Sequence, residues 1–123
     1  MPDSRNTAHS KGLLGEAAAE AYLLKQGMAC IDRRYHSPYG EIDLIMLEEQ
    51  TLVFVEVKAR SVQTLSQAQI AVSPSKQRRI IQTALCYLNQ FPQYQQHLIR
   101  FDVVAISGEF IHHIPNAFQG YGW

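Results

Sequence analysis

The segment EIDLIMLEEQTLVFVEVKAR, residues 41–60, decides the fold of this chain. Residues 41–47 and 52–60 are rich in Ile, Leu, Val and Phe, a composition that is typical of β-strands. Only the four residues 48–51 separate the two runs. The sequence therefore predicts an antiparallel β-hairpin, since so short a connection joins antiparallel neighbours.

The register of this hairpin decides which side chains meet across it. A symmetric turn centred between residues 49 and 50 places Ile45 opposite Phe54 and Leu47 opposite Leu52. Apolar residues then face apolar residues, which supports this register, because a slip by one residue would turn every side chain to the other face. An odd-length turn would spoil the alignment.

Charged side chains meet in the same register. Asp43 would lie opposite Glu56, and Glu41 opposite Lys58. Two opposed carboxylates, with Cβ atoms about 5 Å apart, repel each other unless a proton or a cation lies between them. Mg²⁺ is usually bound by one or two carboxylates, with waters and a substrate phosphate completing its shell. The hairpin is therefore a candidate metal-and-phosphate site; the alternative is a solvated hairpin end with an ordinary Glu41–Lys58 ion pair.

The flanking sequence predicts two helices and three further strands. Apolar residues at helical spacing indicate the helices, with Gly27 as a stop signal and Ser73-Pro74 as a start signal. The predicted elements are helices over residues 11–26 and 74–89 and strands over residues 28–35, 98–106 and 110–114. The order α-β-β-β-α-β-β predicts an α/β fold, a mixed sheet with flanking helices, in a single domain of residues 1–123. We expect residues 61–72 to form a loop, and residues 1–10 and 116–123 to be irregular tails.

Composition narrows the class of protein. The 123 residues are 46% apolar and 10% aromatic, which is enough to bury a core and argues against disorder. Eleven basic residues balance eleven acidic ones, so the chain is not a broadly basic nucleic-acid coat. No apolar run approaches the about 18 residues of a membrane span, and the first twelve residues are polar. We therefore expect a cytoplasmic protein, in which Cys30 and Cys86 are reduced thiols.

The charges are unevenly distributed along the chain. Nine acidic residues lie at or before Glu56, and none lies between residues 57 and 100, where six basic residues lie. A neutral total thus hides a basic stretch that could meet phosphates, although the acidic and basic parts could instead pair with each other. The candidate nucleic-acid-binding residues are Arg33, Arg34, Arg60, Lys76, Arg78 and Arg79. For Arg33 and Arg34 the alternative is a charged edge strand, and for the helix residues it is a solvated basic turn.

The spacing of these residues resembles a known nuclease signature. Asp43, twelve residues, and then Glu56-Val57-Lys58 resemble the PD-(D/E)xK motif of Holliday-junction resolvases and many restriction enzymes. The wider pattern, over residues 12–106, resembles the YraN family of bacterial proteins. That pattern comprises Gly12-Leu-Leu-Gly15-Glu16, Tyr22-Leu23, Gly40-Glu-Ile-Asp-Leu-Ile45, Phe54-Val-Glu-Val-Lys58, Arg60, Lys76 and Phe101-Asp102. One departure is Ile42, which stands where the signature names Pro.

The resemblance implies a restriction endonuclease-like fold and a role for each motif residue. Asp43, Glu56 and the backbone carbonyl of Val57 would bind Mg²⁺ or Mn²⁺, and Lys58 would orient the attacking water and stabilise charge on the phosphate. Glu16 would be an additional helix-borne acid near the metal. The expected activity is metal-dependent hydrolysis of phosphodiester bonds in DNA, including branched DNA, by a chain that could act as a homodimer. The alternative is a nucleic-acid-binding or adaptor protein that keeps the nuclease fold without turnover.

Overall fold

A computed structural model describes residues 4–60 and 71–120 of the chain, with side chains described for residues 14–59 and 71–120. Within these ranges two α-helices and five strands follow one another in the predicted order α-β-β-β-α-β-β. The elements are α1 (Ser4–Lys25), β1 (Ala29–Ser37), β2 (Gly40–Glu48), β3 (Thr51–Arg60), α2 (Pro74–Gln90), a 3-10 turn (Pro92–Tyr94), β4 (Leu98–Ser107) and β5 (Phe110–Phe118). The predicted mixed α/β fold is confirmed.

The strands form one sheet in the order β1-β2-β3-β4-β5. β3 and β4 are parallel, and the other neighbours are antiparallel. The hairpin register is as predicted, since Ile45 pairs with Phe54 and Leu47 with Leu52. α2 lies between β3 and β4 in the chain, as a parallel connection requires.

The two helices cover opposite faces of the sheet. Side chains alternate along β3, so Leu52 and Phe54 belong to the core under α2, whereas Val53 and Val55 belong to the core under α1. Over the residues that the structure describes, neither helix has the length and apolar character needed to cross a bilayer. The alternation places the next even-numbered residues of β3 on the α2 face.

Two predicted tails are wrong at their inner ends. Helix α1 begins at Ser4, not near residue 11, because once a helix is nucleated each further residue adds a hydrogen bond at little cost. Strand β5 continues to Phe118, since Phe118 pairs with Phe101 and their rings stack with centroids 5.0 Å apart. Residues 1–3, 121–123 and most of the predicted loop, residues 61–70, lie outside the described ranges.

A buried polar cluster joins β4 to β5. The carboxylate of Asp102, whose side chain is 0% exposed, accepts hydrogen bonds from Arg100 at 2.9 and 3.0 Å and from the Asn116 N–H at 3.0 Å. Nε2 of His113 lies 2.7 Å from the same carboxylate. Burial alone would raise the pKa of Asp102, but the hydrogen bonds from His113, Arg100 and Asn116 outweigh it and lower this pKa. Asp102 is therefore a buried carboxylate that supports the junction of β4 and β5.

Candidate metal and phosphate site

Asp43 lies at the point where β2 and β3 separate. Their backbone pairing ends at Leu44 opposite Val55, although both strands continue. Beyond that point Oδ2 of Asp43 accepts a hydrogen bond from the backbone N–H of Val57 at 2.7 Å. The side chain thus takes the place of the lost backbone pairing, and it holds the carboxylate next to residue 56.

Glu56 is a buried carboxylate on the α2 face of β3. Its side chain is 7% exposed, and it follows Phe54 on the same face. The ammonium of Lys76, from the first turn of α2, lies 2.5 Å from Oε1 of Glu56. An ionised carboxylate with so little solvent needs a nearby cation, and Lys76 provides one.

The two carboxylates influence each other electrostatically. Burial, followed by the charge of Glu56, raises the pKa of Asp43 to about 8, against the opposing effect of the Val57 hydrogen bond. Such a shift means that at neutral pH the pair favours one proton or one cation between its members. The predicted cross-strand pairing of Asp43 with Glu56 is wrong, because the pairing of β2 and β3 ends at Leu44 opposite Val55; the charge of Glu56 nonetheless helps to raise the pKa of Asp43.

The carboxylates offer hard oxygen ligands for a divalent ion. Each carboxylate has a second oxygen besides the one in its described contact, Oδ1 in Asp43 and Oε2 in Glu56. No three His, Cys, Asp or Glu side chains of the described residues are clustered closely enough to hold an ion by themselves. These residues fit an ion that takes two carboxylates and completes its shell with a backbone carbonyl, waters and phosphate, as Mg²⁺ commonly does.

Glu16 approaches this pair from α1. The approach depends on Gly15, because a Cβ at that position would lie 2.9 Å from Cβ of Ala59 on β3. Glu16 also contributes to the raised pKa of Asp43, behind burial and Glu56. Its carboxylate lies 3.7 Å from the guanidinium of Arg34.

Lys58 lies on the same face of β3 as Glu56. Its ammonium donates a hydrogen bond to the backbone carbonyl of Ala71, at 2.5 Å. The strand register does not support the ion pair of Glu41 with Lys58 that was the alternative to a metal site, because the pairing of β2 and β3 ends at Leu44 opposite Val55. Glu41 instead lies 3.6 Å from Arg34 on the neighbouring strand β1.

The two arginines of β1 have acidic partners. Arg33 forms a two-pronged ion pair with Glu20 of α1, at 2.5 and 2.8 Å. Arg34 has a φ of 53°, a left-handed conformation that non-glycine residues seldom adopt, and it lies between Glu16 and Glu41. β1 lies at the edge of the sheet, which agrees with the alternative of a charged edge strand, and phosphate binding by these arginines stays a prediction.

The other candidate phosphate ligands lie on β3 and α2. Arg78 and Arg79 are exposed on α2, close to Lys76. Arg60 ends β3, and its side chain lies outside the described part. Lys76 is a predicted nucleic-acid ligand, and its contact with Glu56 was not predicted, because no local pattern connects residues 20 positions apart.

The fold and the site together define a class of protein. It is a mixed α/β protein in which adjacent strands bring an acidic pair together, with Lys76 of α2 in contact with Glu56 and Lys58 on the same face of β3. The model of the Uncharacterised protein family UPF0102 matches residues 15–106, so the chain belongs to this family. The resemblance to the YraN family, which is the same family, is confirmed.

Curated relatives match over nearly the whole chain. A UPF0102 protein of Rhodopseudomonas palustris is 42% identical over 116 residues, which cover 94% of this chain and 84% of that protein. A UPF0102 protein of Acinetobacter baylyi is 40% identical over 97% of this chain and 86% of its own length. A UPF0102 protein of Francisella tularensis subsp. novicida is 48% identical over 87% of this chain and 92% of its own length.

Proposed function

We propose that this protein is a Mg²⁺- or Mn²⁺-dependent endonuclease that hydrolyses phosphodiester bonds in DNA, including branched or otherwise structured DNA. The observation that carries the proposal is the acidic pair of Asp43 and Glu56. Burial and mutual repulsion raise the pKa of Asp43 to about 8, an arrangement that a divalent cation would relieve.

Each residue of the site has a role in this proposal. Asp43 and Glu56 would hold the ion with the carbonyl of Val57, and Glu16 would bind or orient a water beside it. Bound there, the ion would supply an activated water and would neutralise charge on the phosphate. Lys58 is a cation on the same face as Glu56, so it would position the phosphate and stabilise the charge that develops on it.

DNA binding would use the exposed basic groups of α2. Arg78 and Arg79 are exposed, and the first turn of α2 contains no acidic residue to repel a phosphate.

The proposed location of the protein is the cytoplasm, where the free thiols Cys30 and Cys86 would stay reduced. A homodimer would supply the two sites that cutting both strands requires.

A second function is favoured by one contact. The ammonium of Lys76 already neutralises Glu56, so a structural ion pair could account for that buried carboxylate without a metal. In that case the protein would bind nucleic acid, or act as an adaptor, without cleaving it. Metal dependence separates the two functions.

The test is an incubation of linear and branched DNA with the protein in Mg²⁺, in Mn²⁺ or in a chelator. The nuclease proposal expects cleavage only with metal, and a loss of about a hundredfold or more in Asp43→Asn and Lys58→Met. Asp32→Asn is the matched control, because it makes the same acid-to-amide change on β1, outside the acidic pair. DNA binding that needs no metal, without cleavage of any substrate, would favour the second function.

A further inference from the structure

The ion pair between Lys76 and Glu56 joins two residues with very different freedom to move. Glu56 is 7% exposed and is fixed on a central strand, whereas the Lys76 side chain is 44% exposed on the surface of α2. A lysine ammonium sits on a flexible four-carbon stem and is strongly solvated when released. Lys76 can therefore leave the carboxylate, while Glu56 cannot follow it.

Lys76 places a positive charge at the N-terminal end of α2, which is already the positive end of the helix dipole. Ser73 caps α2, and its hydroxyl accepts the backbone N–H of Lys76 at 3.2 Å, so Lys76 is the third residue of the helix. That position usually carries Glu or Gln, because the N-terminal end of a helix is partially positive. The basic residues Arg78 and Arg79 follow at once. This helix start therefore concentrates positive charge that an anion would stabilise.

Lys76 has two candidate anionic partners, the carboxylate of Glu56 and a phosphate of the nucleic acid, and it can pair with only one of them at a time. In the structure its partner is Glu56, one of the two carboxylates that the proposed function assigns to the metal. A divalent ion bound through the other oxygen of Glu56 would neutralise the charge that holds the ammonium, so the two cations compete for that charge even though they contact different oxygens. Binding of the ion would thus leave the ammonium without its partner at the basic start of α2.

We propose that Lys76 is an exchangeable counter-cation: it holds Glu56 until a divalent ion takes the carboxylate, and it then binds a phosphate of the nucleic acid. This inference rests on the proposed metal site and adds its regulation. A bound metal ion frees Lys76 for a phosphate, so it raises the affinity of the protein for nucleic acid. By thermodynamic reciprocity, bound nucleic acid raises the affinity for the metal ion. Before the metal binds, the ion pair of Lys76 with Glu56 neutralises the acidic pair and keeps Lys76 from binding a phosphate.

The first experiment titrates Mn²⁺ alone, by calorimetry, into the full chain and three variants. Lys76→Met removes the competitor, so Mn²⁺ should bind about three- to tenfold more tightly than to the wild type. Arg78→Met removes a charge next to Lys76 without touching Glu56. Lys25→Met makes the same lysine-to-methionine change in the last turn of α1. Both should leave the Mn²⁺ affinity within about twofold of the wild type.

The second experiment measures binding of a labelled phosphorothioate duplex, which resists cleavage, with and without Mn²⁺. Mn²⁺ should raise the affinity of the wild type several-fold, and this gain should largely disappear in Lys76→Met. Arg78→Met should bind the duplex more weakly but keep the gain. Lys76→Arg retains a cation, so it should keep the gain as well, and it also serves if Lys76→Met folds poorly.

The outcomes separate the exchange from the metal site itself. Mn²⁺ binding that is unchanged or weaker in Lys76→Met would overturn the exchange and leave the metal site intact. Equal tightening in Arg78→Met would also overturn it, because the effect would then be general electrostatics. A wild type that binds Mn²⁺ but gains no affinity for the duplex would overturn the phosphate step and with it the proposal. A wild type that binds no Mn²⁺ would overturn the proposed function as well.

Discussion

Oδ2 of Asp43 accepts the backbone N–H of Val57 at 2.7 Å, where the pairing of β2 and β3 has just ended. A side chain therefore completes the hydrogen bonding that the backbone of β2 no longer provides. The contact also keeps the carboxylate beside Glu56, whose charge opposes its ionisation. The same hydrogen bond thus closes the sheet locally and holds two carboxyl groups together.

Replacing Asp43 by Asn should stabilise the metal-free protein. The amide oxygen can still accept the Val57 N–H, while the change removes a carboxyl group whose ionisation burial and Glu56 disfavour in the folded state. We expect a gain of about 1–2 kcal/mol in the free energy of unfolding at pH 7. This is well below the upper limit that the pKa shift of Asp43 sets, at about 1.4 kcal/mol for each pKa unit. Urea denaturation in a chelator measures it, with Asp32→Asn as control. A loss of stability would mean that Asp43 is structural.

The stability of the metal-free protein should fall as the pH rises towards 8. The pKa of Asp43 is raised from its unfolded value of about 3.9 to about 8, so the folded state binds more protons between these values. This contribution is fully present below about pH 4 and is lost as the pH rises to about 8. The difference between wild type and Asp43→Asn isolates it. A difference that is independent of pH from 5 to 8 would contradict the shift.

Replacing Asp102 by Asn should lower the free energy of unfolding, the opposite of the effect expected for Asp43→Asn. Asp102→Asn leaves Arg100 and His113 beside a neutral amide in a buried site, and it should cost about 3 kcal/mol or more. Because the pKa of Asp102 is lowered, its stabilising effect is present above about pH 4 and is lost as the pH falls through the folded pKa. Urea denaturation at pH 7 checks this prediction. A change below about 1 kcal/mol would show that the cluster contributes little.

Gly15→Ala should displace α1 from β3. The added Cβ would lie 2.9 Å from Cβ of Ala59, so one element has to move, at a cost of about 1–3 kcal/mol. Glu16 would shift with the helix, and Mn²⁺ affinity should fall. In the double variant with Ala59→Gly, the Gly15→Ala substitution should cost less than it does alone. Strictly additive effects would show that the close contact has no energetic weight.

Binding to nucleic acid should depend steeply on salt if α2 contacts phosphates. Arg78→Ala and Arg79→Ala should each reduce the slope of log affinity against log salt by about 1. Titrations of a labelled duplex at several salt concentrations, with Lys25→Ala as control, provide the slopes. Slopes that match the wild type would place the nucleic acid elsewhere.

The sequence predicted what depends on local pattern. The hairpin register followed from its short connection and its apolar pairs, and the pairing of Ile45 with Phe54 and of Leu47 with Leu52 confirms it. The predicted opposition of Glu41 with Lys58, and that of Asp43 with Glu56, failed because the pairing ends early, a backbone feature that alternation does not reveal.

Contacts between distant elements were not predictable. The ion pair of Lys76 and Glu56 depends on where α2 lies on the sheet, and the sequence shows only that both residues are charged. Gly15 could have been noticed as a glycine inside a helical pattern, because a glycine there lowers the helix propensity and calls for a packing reason. Here that reason is the closeness of Ala59.

Calorimetric titration of Mn²⁺ into the wild type and Asp43→Asn at pH 7 tests the central claim most directly. Asp43 and Glu56 are proposed as a cation site, so the wild type should bind Mn²⁺ and release protons as it does, since the pKa of Asp43 is about 8. Asp43→Asn should lose most of this affinity while remaining folded. Equal Mn²⁺ affinity in the two proteins, or none in the wild type, would contradict the claim that this acidic pair binds metal.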